Sequence, residues 1–536
     1  MKLQEKLVLQ TETPLSKSNL WQYQRDFYKH EGINAWTKVP YYITSNPYIA
    51  NSYANIIIRF FQDCIYQDIY NPSEPIYILE LGAGSGTFSF YVIKRLLELQ
   101  RSLNLAQVKF VYIMTDFAEK NIQYWEEHSA FQDYIQSGIL DFARFKVQKD
   151  TEINLMRSGK VLSSYSEHQL HNPLLVLANY IFDSVPQDIF RVSEGKFQIG
   201  LATVSTRQDN IKDNQPIEQE HLEVIFSYKD TSIPYYQDEY LDAVLSYYQE
   251  KIKEGYLLFP IGSLQGIRRL MDISNQKLCL ISSDMGFSRY GDLYQQEEPC
   301  CIFNGSFYMM LDFRIIAQYF KQWGGDYYHQ FTEQSLNTSI FLLGFDFQTM
   351  PETRQAVETF LDAFGHATFY NIYEHIERTK PFSKLEMLLT FLSTTQWDTH
   401  VFDSSIDIIL EQIRSGYASI FVVSDLISIM GKIADNFYFK PYSVDTLFNI
   451  GLFFQEVCEY EKALHYFHQS INYFGENEIT LYNMGLCHYF LGEPERALEK
   501  FRYAIKINPT YIMGRGWISQ IEAEKAEEQL VSLNAT

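Results

Sequence analysis

The clearest hydrophobic pattern in the chain is an apolar run followed by a glycine-rich turn and an amphipathic segment. Residues 76–79 are apolar without interruption, which is typical of a parallel strand that is covered on both faces. Gly82, Gly84 and Gly86 follow at alternate positions, where the lack of a Cβ atom allows a sharp turn and a close approach to a ligand. A helix over about residues 87–100 would point its positive N-terminus at this turn. The pattern predicts a site for a nucleotide-like cofactor.

Apolar runs of the same kind recur along the first two thirds of the chain and alternate with helical patterns. The strands that they predict lie at residues 109–116, 174–179, 278–284 and 339–345. Strands that alternate with helices imply right-handed crossovers. We therefore predict an α/β domain with a Rossmann-like, mostly parallel sheet over residues 76–348.

Two stretches depart from this alternation. Residues 1–75 predict an N-terminal helical cap, in which Asn46 and Pro47 form the N-cap and first turn of a helix. The pattern turns polar after residue 194, with a loop at residues 209–216, and predicts an insertion near residues 194–275.

Beyond residue 349 the strand signals give way to helical periodicity. Small and aromatic positions recur 34 residues apart, Gly451, Ala463 and Phe467 as Gly485, Ala497 and Phe501. This period and these residue types are typical of tetratricopeptide repeats, in which small residues lie where two helices approach closely. The sequence predicts an all-α tetratricopeptide-type helical domain, with repeats at 441–527 and a helical linker or degenerate repeats at 349–440.

Composition narrows the classes of partner. The 536 residues are 46% hydrophobic and 21% charged, as in ordinary globular proteins, and carry a formal net charge of −22. That charge argues against nucleic acid and favours a basic peptide or an uncharged small molecule. The sequence has no apolar run of membrane-spanning length, no signal-peptide core, and no metal-ligand spacing among its six cysteines. We expect a cytoplasmic protein without a metal or a membrane partner.

Two acids decide which cofactor the glycine turn would bind. Asp116 ends the second predicted strand, where a carboxylate can accept both ribose hydroxyls of an adenosine. Glu80 stands beside the turn, where it would repel phosphate but could order a cationic sulfonium or ammonium group. The glycine spacing also lacks the dinucleotide pattern. These features favour S-adenosylmethionine over a dinucleotide.

The same residues resemble those of a known family. Residues 80–87 resemble the first motif of class I S-adenosylmethionine-dependent methyltransferases, and Asp116 resembles their ribose acid. Residues 178–186 resemble the "NE-x-x-DA-x-P" signature of the MidA-like family, which includes a mitochondrial complex I assembly factor that methylates protein arginine. Residues 44–45 and 284–286 are similar to two further landmarks of that family. The resemblance covers about residues 20–345 and implies S-adenosyl-L-methionine as the cofactor.

The resemblance also suggests roles for individual residues. The cofactor-binding residues would be Thr44, Ser45, Glu80, Gly82, Gly84, Gly86, Asp116, Asp141 and Phe142. Asp141 and Phe142 would lie at the adenine edge; the alternative is a surface acid and a core phenylalanine. The catalytic residues would be Asn179, Tyr180 and Asp183.

Tyr180 departs from the family pattern, because the family has an acid after the asparagine that corresponds to Asn179. Arginine methylation needs carboxylates that hold the guanidinium in a bidentate pose. Tyr180 could hydrogen-bond a substrate, steady a methylammonium group by cation–π contact, or simply pack in the interior.

Three functional hypotheses remain open on the sequence. The leading one is a methyltransferase that acts on a protein or peptide side chain, arginine among the candidates, with the repeats recruiting the substrate or a partner. The second is a methyltransferase for a small molecule such as a secondary metabolite. The third is a cofactor-binding assembly factor without catalytic activity. A homodimer is also left open.

Overall fold

A computed structural model describes residues 6–165, 169–207, 217–289, 297–330, 336–379 and 384–534. The loop predicted at residues 209–216 lies outside the described residues. Contacts between residues divide the chain into two units, Met1–His375 and Ile376–Thr536.

The described strands all belong to the first unit. They are β1 (Lys6–Pro14), β2 (Ile76–Leu81), β3 (Phe110–Asp116), β4 (Leu140–Arg144), β5 (Glu152–Asn154), β6 (Val161–Ser163), β7 (Leu174–Asn179), β8 (Asp188–Ser193), β9 (Lys196–Arg207), β10 (Glu223–Asp230), β11 (Gly255–Phe259), β12 (Leu278–Phe287), β13 (Ile302–Asn304), β14 (Ser306–Tyr308), β15 (Leu311–Asp312), β16 (Asp326–His329) and β17 (Leu336–Leu343).

The helices run through both units. They are α1 (Leu20–Glu31), α2 (Pro47–Tyr66), α3 (Thr87–Ser102), α4 (Glu119–Glu127), α5 (Gln132–Gln136), α6 (Glu239–Lys251), α7 (Ile261–Ile273), α8 (Phe313–Gln322), α9 (Pro351–Val357), α10 (His366–Thr379), α11 (Leu385–Thr394), α12 (Thr399–Asp403), α13 (Ile406–Arg414), α14 (Ile420–Ala434), α15 (Thr446–Glu456), α16 (Tyr460–Phe474), α17 (Glu478–Phe490), α18 (Pro494–Ile507) and α19 (Met513–Asn534). Among the described residues, no helix has both the length and the hydropathy of a membrane span.

The larger sheet of the first unit has the order β16-β17-β12-β7-β2-β3-β4, with β15 beside β12. The five strands from β12 to β4 are parallel, and β17 is antiparallel to both of its neighbours. Every residue of β2 is buried, as expected of a central parallel strand with helices on both faces. The predicted Rossmann-like, mostly parallel sheet is confirmed.

A second sheet, entirely antiparallel, corrects the prediction of a helical cap over residues 1–75. Its order is β1-β9-β8-β11, with β10 also paired to β9. β1 pairs with β9 from Lys6 opposite Arg207 to Pro14 opposite Leu201. Charged and apolar residues alternate over the first residues of the chain, which is the period of a strand with one exposed face. The helical part of the prediction holds for α1 and α2, where the Asn46 side chain accepts a hydrogen bond from the Ile49 amide.

The predicted insertion near residues 194–275 is also corrected at its C-terminal end. Helix α7 directly precedes β12, which lies parallel to β7. Parallel neighbours need a crossover connection, and α7 provides it by packing Leu264 and Ile267 into the core of the main sheet. Four of the five strands of the extra sheet, β8–β11, are therefore inserted between β7 and its crossover helix, and β1 joins them from the N-terminal segment.

The first helix after the main sheet belongs to the first unit rather than to the predicted linker. The Asp63 carboxylate of α2 accepts hydrogen bonds from the backbone and side chain of Thr353, both at 2.7 Å. Asp63 is fully buried, and these hydrogen bonds from the first turn of α9 replace those that water would make to its carboxylate.

The second unit consists of helices in its described part, and α15–α18 form the two predicted repeats as helical pairs. An added Cβ at Gly451 would lie 2.5 Å from the Phe467 ring, and one at Gly485 would lie 2.6 Å from the Phe501 ring. Each glycine thus lets one helix approach the aromatic ring of its partner. Helices α11–α14 share a hydrophobic core with these repeats.

This close packing predicts opposite effects for two glycine substitutions inside helices. We expect Gly485→Ala to lower the free energy of unfolding of the second unit by about 1–2 kcal/mol, since overpacking outweighs the gain in helix propensity. Gly431→Ala in α14 is the matched control, because no atom lies within 4 Å of its added Cβ. It should stabilise the unit by up to about 1 kcal/mol. Urea denaturation followed by circular dichroism measures both changes, and a stabilising Gly485→Ala would contradict the close packing.

Candidate active site

The glycine turn after β2 has the backbone that its sequence demands. Gly82, Gly84 and Gly86 have φ angles of 60°, 55° and 78°, all in the left-handed region that glycine adopts without strain. An added Cβ at Gly84 would lie 2.3 Å from Cζ2 of Trp36, and one at Gly82 would lie 2.5 Å from Cδ1 of Ile181. The Trp36 and Ile181 side chains therefore pack directly against the backbone of the turn.

A cavity of about 430 Å³ lies against this turn, at the carboxyl ends of β2, β3 and β7. Parallel α/β sheets commonly bind their ligands at that edge. Most of the residues predicted for the site line it: Thr44, Ser45, Glu80, Gly82, Gly84, Asp116, Asn179, Tyr180 and Asp183. Residues far apart in sequence are thus brought to one cavity.

Gly86, Asp141 and Phe142 are not among the described residues that line the cavity. Gly86 is the N-cap of α3. The Asp141 carboxylate accepts hydrogen bonds from the backbone amides of Phe142, Arg157 and Ser158, at 2.8, 2.8 and 3.0 Å. Phe142 is fully buried and stacks on Trp125. The prediction that Asp141 and Phe142 hold the adenine edge is corrected, because the carboxylate holds the turn between β5 and β6 and the ring packs in the core.

Asp116 lies at the end of β3 with its carboxylate oriented by its neighbours. Its Oδ1 accepts a hydrogen bond from the Ala118 amide at 2.9 Å, and its Oδ2 accepts one from the Asn121 side chain at 2.8 Å. Burial raises the pKa of Asp116, while these hydrogen bonds lower it. Each carboxylate oxygen has two acceptor sites, so the group can still accept bonds from a ligand in the cavity.

Glu80 is the second carboxylate of the cavity and is buried to the same extent as Asp116. Its Oε2 accepts hydrogen bonds from Ser89 and, at 2.8 Å, from the Tyr112 hydroxyl. Burial raises the pKa of Glu80 to about 7 despite these two donors. A cationic ligand nearby would favour the ionised form.

Aromatic residues from the N-terminal segment form a wall of the cavity that the sequence analysis did not assign to the site. They are Tyr28 and Trp36, which lie 5.9 Å apart between ring centroids. Burial raises the pKa of Tyr28 to about 12, so its hydroxyl stays protonated. The Trp36 indole N–H is buried and has no hydrogen-bond partner among the described residues. The only sequence signal for this wall was the frequency of aromatic residues in an otherwise polar segment.

Thr44 and Ser45 line the cavity from the turn that precedes α2. The Thr44 hydroxyl donates to the Tyr41 carbonyl at 3.2 Å, and its side chain is almost fully buried. The N-cap of α2 at Asn46 fixes this turn, so the helix start positions both residues.

The Asn179 side chain is hydrogen-bonded to α2, the helix that precedes β2 and the glycine turn. Its Oδ1 accepts a hydrogen bond of 2.7 Å from the Tyr53 hydroxyl of α2. Because Tyr53 is fully buried, this bond fixes the orientation of the Asn179 side chain. It thereby also sets the direction of the Asn179 N–H₂ group. Tyr180 follows with a φ angle of 55°, which is uncommon for a residue with a side chain. Its amide donates to the Ser283 carbonyl at 2.8 Å, which secures this conformation.

Asp183 lies beside a second buried acid, Asp284 of β12. Asp284 accepts hydrogen bonds from the Phe182 amide at 2.9 Å and from the Ser282 hydroxyl at 2.7 Å, whereas Asp183 accepts one from the Ser184 hydroxyl at 2.8 Å. Burial and the charge of Asp284 raise the pKa of Asp183 well above its usual range, and burial raises that of Asp284 to about 6. The two acids therefore act as a pair that retains a proton more readily than either acid alone.

Comparison with known proteins identifies the repeats by sequence. A model of the tetratricopeptide repeat matches residues 479–511, which covers α17 and α18. The second of the two predicted repeats is thereby confirmed as a tetratricopeptide repeat. No curated protein matches the chain significantly.

Solved structures similar to the chain come from Burkholderia thailandensis. One is a COG1565 superfamily member, described as a candidate methyl transferase and bound to S-adenosyl-homocysteine; it is 13% identical, with a TM-score of 0.37, over 60% of this chain and 75% of that one. The other is an uncharacterised COG1565 superfamily protein, 12% identical, with a TM-score of 0.36, over 60% of this chain and 74% of that one.

Proposed function

We propose that this protein is an S-adenosylmethionine-dependent methyltransferase that acts on a protein or peptide side chain, and that its repeats recruit the substrate or a partner. The observation that carries the proposal is the cavity at the carboxyl ends of β2, β3 and β7, where the glycine turn, Asp116 and Asn179 meet. The motif resemblance of residues 80–87 and 178–186 supports the same cofactor.

The residues of the cavity fit such a cofactor. The glycine turn offers backbone contact, Asp116 has acceptor sites suited to ribose hydroxyls, and the buried Trp36 indole offers an unused donor. A buried donor without a partner is costly, and a polar ligand would relieve that cost. Glu80 adds a carboxylate that favours a cationic ligand.

When bound, the cofactor supplies an electrophilic methyl group on a sulfonium. The protein's part in such a displacement is alignment, since most of the acceleration comes from proximity and orientation. Asn179, fixed by Tyr53, can orient an acceptor at the edge of the sheet. The Asp183–Asp284 pair can hold a proton released by an acceptor nitrogen, because burial and mutual repulsion raise its pKa.

Calorimetry of S-adenosylmethionine binding as a function of pH tests this proposal. Glu80, with its pKa of about 7, is neutral below that pH and becomes a carboxylate above it. Because the ligand is cationic, its affinity should rise as the pH increases through about 7, by up to about tenfold per pH unit, and binding in this range should release protons.

Glu80→Gln is the control for this pH dependence, because glutamine keeps an oxygen to accept from Ser89 or Tyr112 and cannot ionise. The variant should show a weaker pH dependence near neutrality than the wild-type protein, the remainder coming from the Asp183–Asp284 pair, whose pKa values are also raised. Absence of binding to the wild-type protein at millimolar ligand would reject the proposed cofactor. A wild-type profile as flat as that of the variant would reject the role of Glu80.

A further inference from the structure

Four basic side chains line the cavity on its solvent-facing side: Arg25, Lys29, Lys146 and Lys149. Lys29 and Lys149 are exposed, and Arg25 and Lys146 are half-buried. We call these four residues the basic rim. Arg25 and Lys29 are one turn apart on α1, while Lys146 and Lys149 lie in the turn that follows β4. Two distant segments thus bring positive charge to one opening.

The charge of the rim is not neutralised within the described part of the chain. Lys146 and Lys149 form no ion pair with any described acid, although Asp150 accepts a hydrogen bond from the Lys146 backbone amide at 2.7 Å. The Lys29 ammonium lies 3.9 Å from Asp26 in an exposed pair, which contributes little. Arg25 donates its hydrogen bond to Gln22, which is uncharged, and the neighbouring Asp26, shared with Lys29, is the acid that acts on it electrostatically.

The acids that line the cavity lie deeper than the rim. They are Glu80, Asp116 and Asp183, with relative exposures of 6%, 6% and 2%. The cavity is therefore acidic inside and basic at its mouth. The net charge of −22 would by itself favour a basic partner. The basic rim is therefore a local region whose charge is opposite in sign to that of the whole chain.

We propose that the methyl acceptor is an acidic polypeptide segment, held at the basic rim by the residues that flank the modified side chain. This inference rests on the proposed function, which places S-adenosylmethionine, the cationic methyl donor, inside the cavity. The rim attracts negative charge over only a short length. Nucleic acid fits less well, because its closely spaced phosphates would also meet the acidic remainder of the surface.

Fluorescence anisotropy with labelled peptides tests the inference on the full chain. The probes are a short peptide of alternating glutamate and serine and its counterpart of lysine and serine. We expect the wild-type protein to bind the acidic probe more tightly, with an affinity that falls as salt is added. The double variant Lys146→Glu/Lys149→Glu should bind that probe about tenfold more weakly or worse.

The matched control is Lys109→Glu/Lys229→Glu, which changes the net charge equally at two exposed lysines that do not line the cavity. It should retain the wild-type affinity for the acidic probe. Equal losses in both double variants, or tighter binding of the basic probe, would overturn the inference. Tighter binding of a single-stranded oligonucleotide of matched charge would overturn it in favour of nucleic acid.

Calorimetry with S-adenosylhomocysteine on the same samples separates this inference from the one on which it rests. The wild-type protein should bind that ligand, and Lys109→Glu/Lys229→Glu should bind it equally well, because neither lysine lines the cavity. A protein that binds S-adenosylhomocysteine but prefers the basic probe disproves only the acidic acceptor. A protein that does not bind it disproves the methyltransferase and the acceptor together.

Discussion

Gly84→Val is expected to lower the affinity for S-adenosylhomocysteine by about a hundredfold or more. The first reason is conformational, since a φ angle of 55° costs a β-branched residue about 1–2 kcal/mol. The second is steric, since the added Cβ would lie 2.3 Å from the Trp36 ring, and overpacking of this kind costs about 1–3 kcal/mol. The turn must shift to relieve both, and the cavity wall shifts with it. Calorimetry on the purified variant gives the affinity directly.

Two companion variants show whether the loss comes from the cavity. Gly138→Val has the same conformational cost, with a φ angle of 72°, but its added Cβ would meet no atom within 4 Å. It should therefore lose stability and keep its affinity. Trp36→Ala combined with Gly84→Val removes the clash as well as the indole donor, so the double variant should lose less affinity than the sum of the two single losses. Additive losses in the double variant would show that Trp36 and Gly84 do not interact as the structure indicates.

Asp116→Ala should have an effect of similar size. Two hydrogen bonds from ribose hydroxyls to a buried carboxylate contribute about 3–4 kcal/mol, so the affinity for S-adenosylhomocysteine should fall by about a hundredfold to a thousandfold. The variant should also lose about 1–3 kcal/mol of stability, because the Ala118 amide and the Asn121 side chain lose their acceptor. Calorimetry and thermal denaturation separate the two losses.

Asp141→Ala is the matched control for Asp116→Ala. Asp141 is also a buried carboxylate at a strand of the same sheet, and it accepts three backbone hydrogen bonds. Its removal should lower the melting temperature comparably and leave the ligand affinity within about twofold of wild type. If the two variants lost affinity equally, Asp116 would have no special role in binding.

Local patterns predicted the parts of the fold that depend on local physics. The apolar run before Gly82, the strand that ends at Asp116 and the helix that begins after Asn46 are each set by neighbouring residues, and each is found where predicted. The repeats were predictable for the same reason. The same residue types recur after 34 residues because the same contact between adjacent helices is repeated, as between Gly485 and Phe501.

The features that the sequence did not predict depend on contacts between distant residues. Nothing near Lys6 in sequence indicates that β1 will pair with β9. The contact of Trp36 with Gly84 and the pairing of Asp183 with Asp284 also arise only when the sheet assembles. Asp141 shows the converse error: the sequence analysis assigned it a ligand contact, but backbone amides of Phe142 and of the turn between β5 and β6 occupy the carboxylate.

The pairing of β1 with β9 has a consequence for synthesis on the ribosome. β1 has its partner about 200 residues later, at Lys196–Arg207, so it must wait unpaired while the intervening chain is made. The helical repeats, by contrast, form contacts between helices that are adjacent in sequence. They can therefore fold as soon as they emerge. A strand that emerges long before its partner is a segment that a chaperone would be expected to protect, and pulse-labelling of stalled chains would detect when that protection ends.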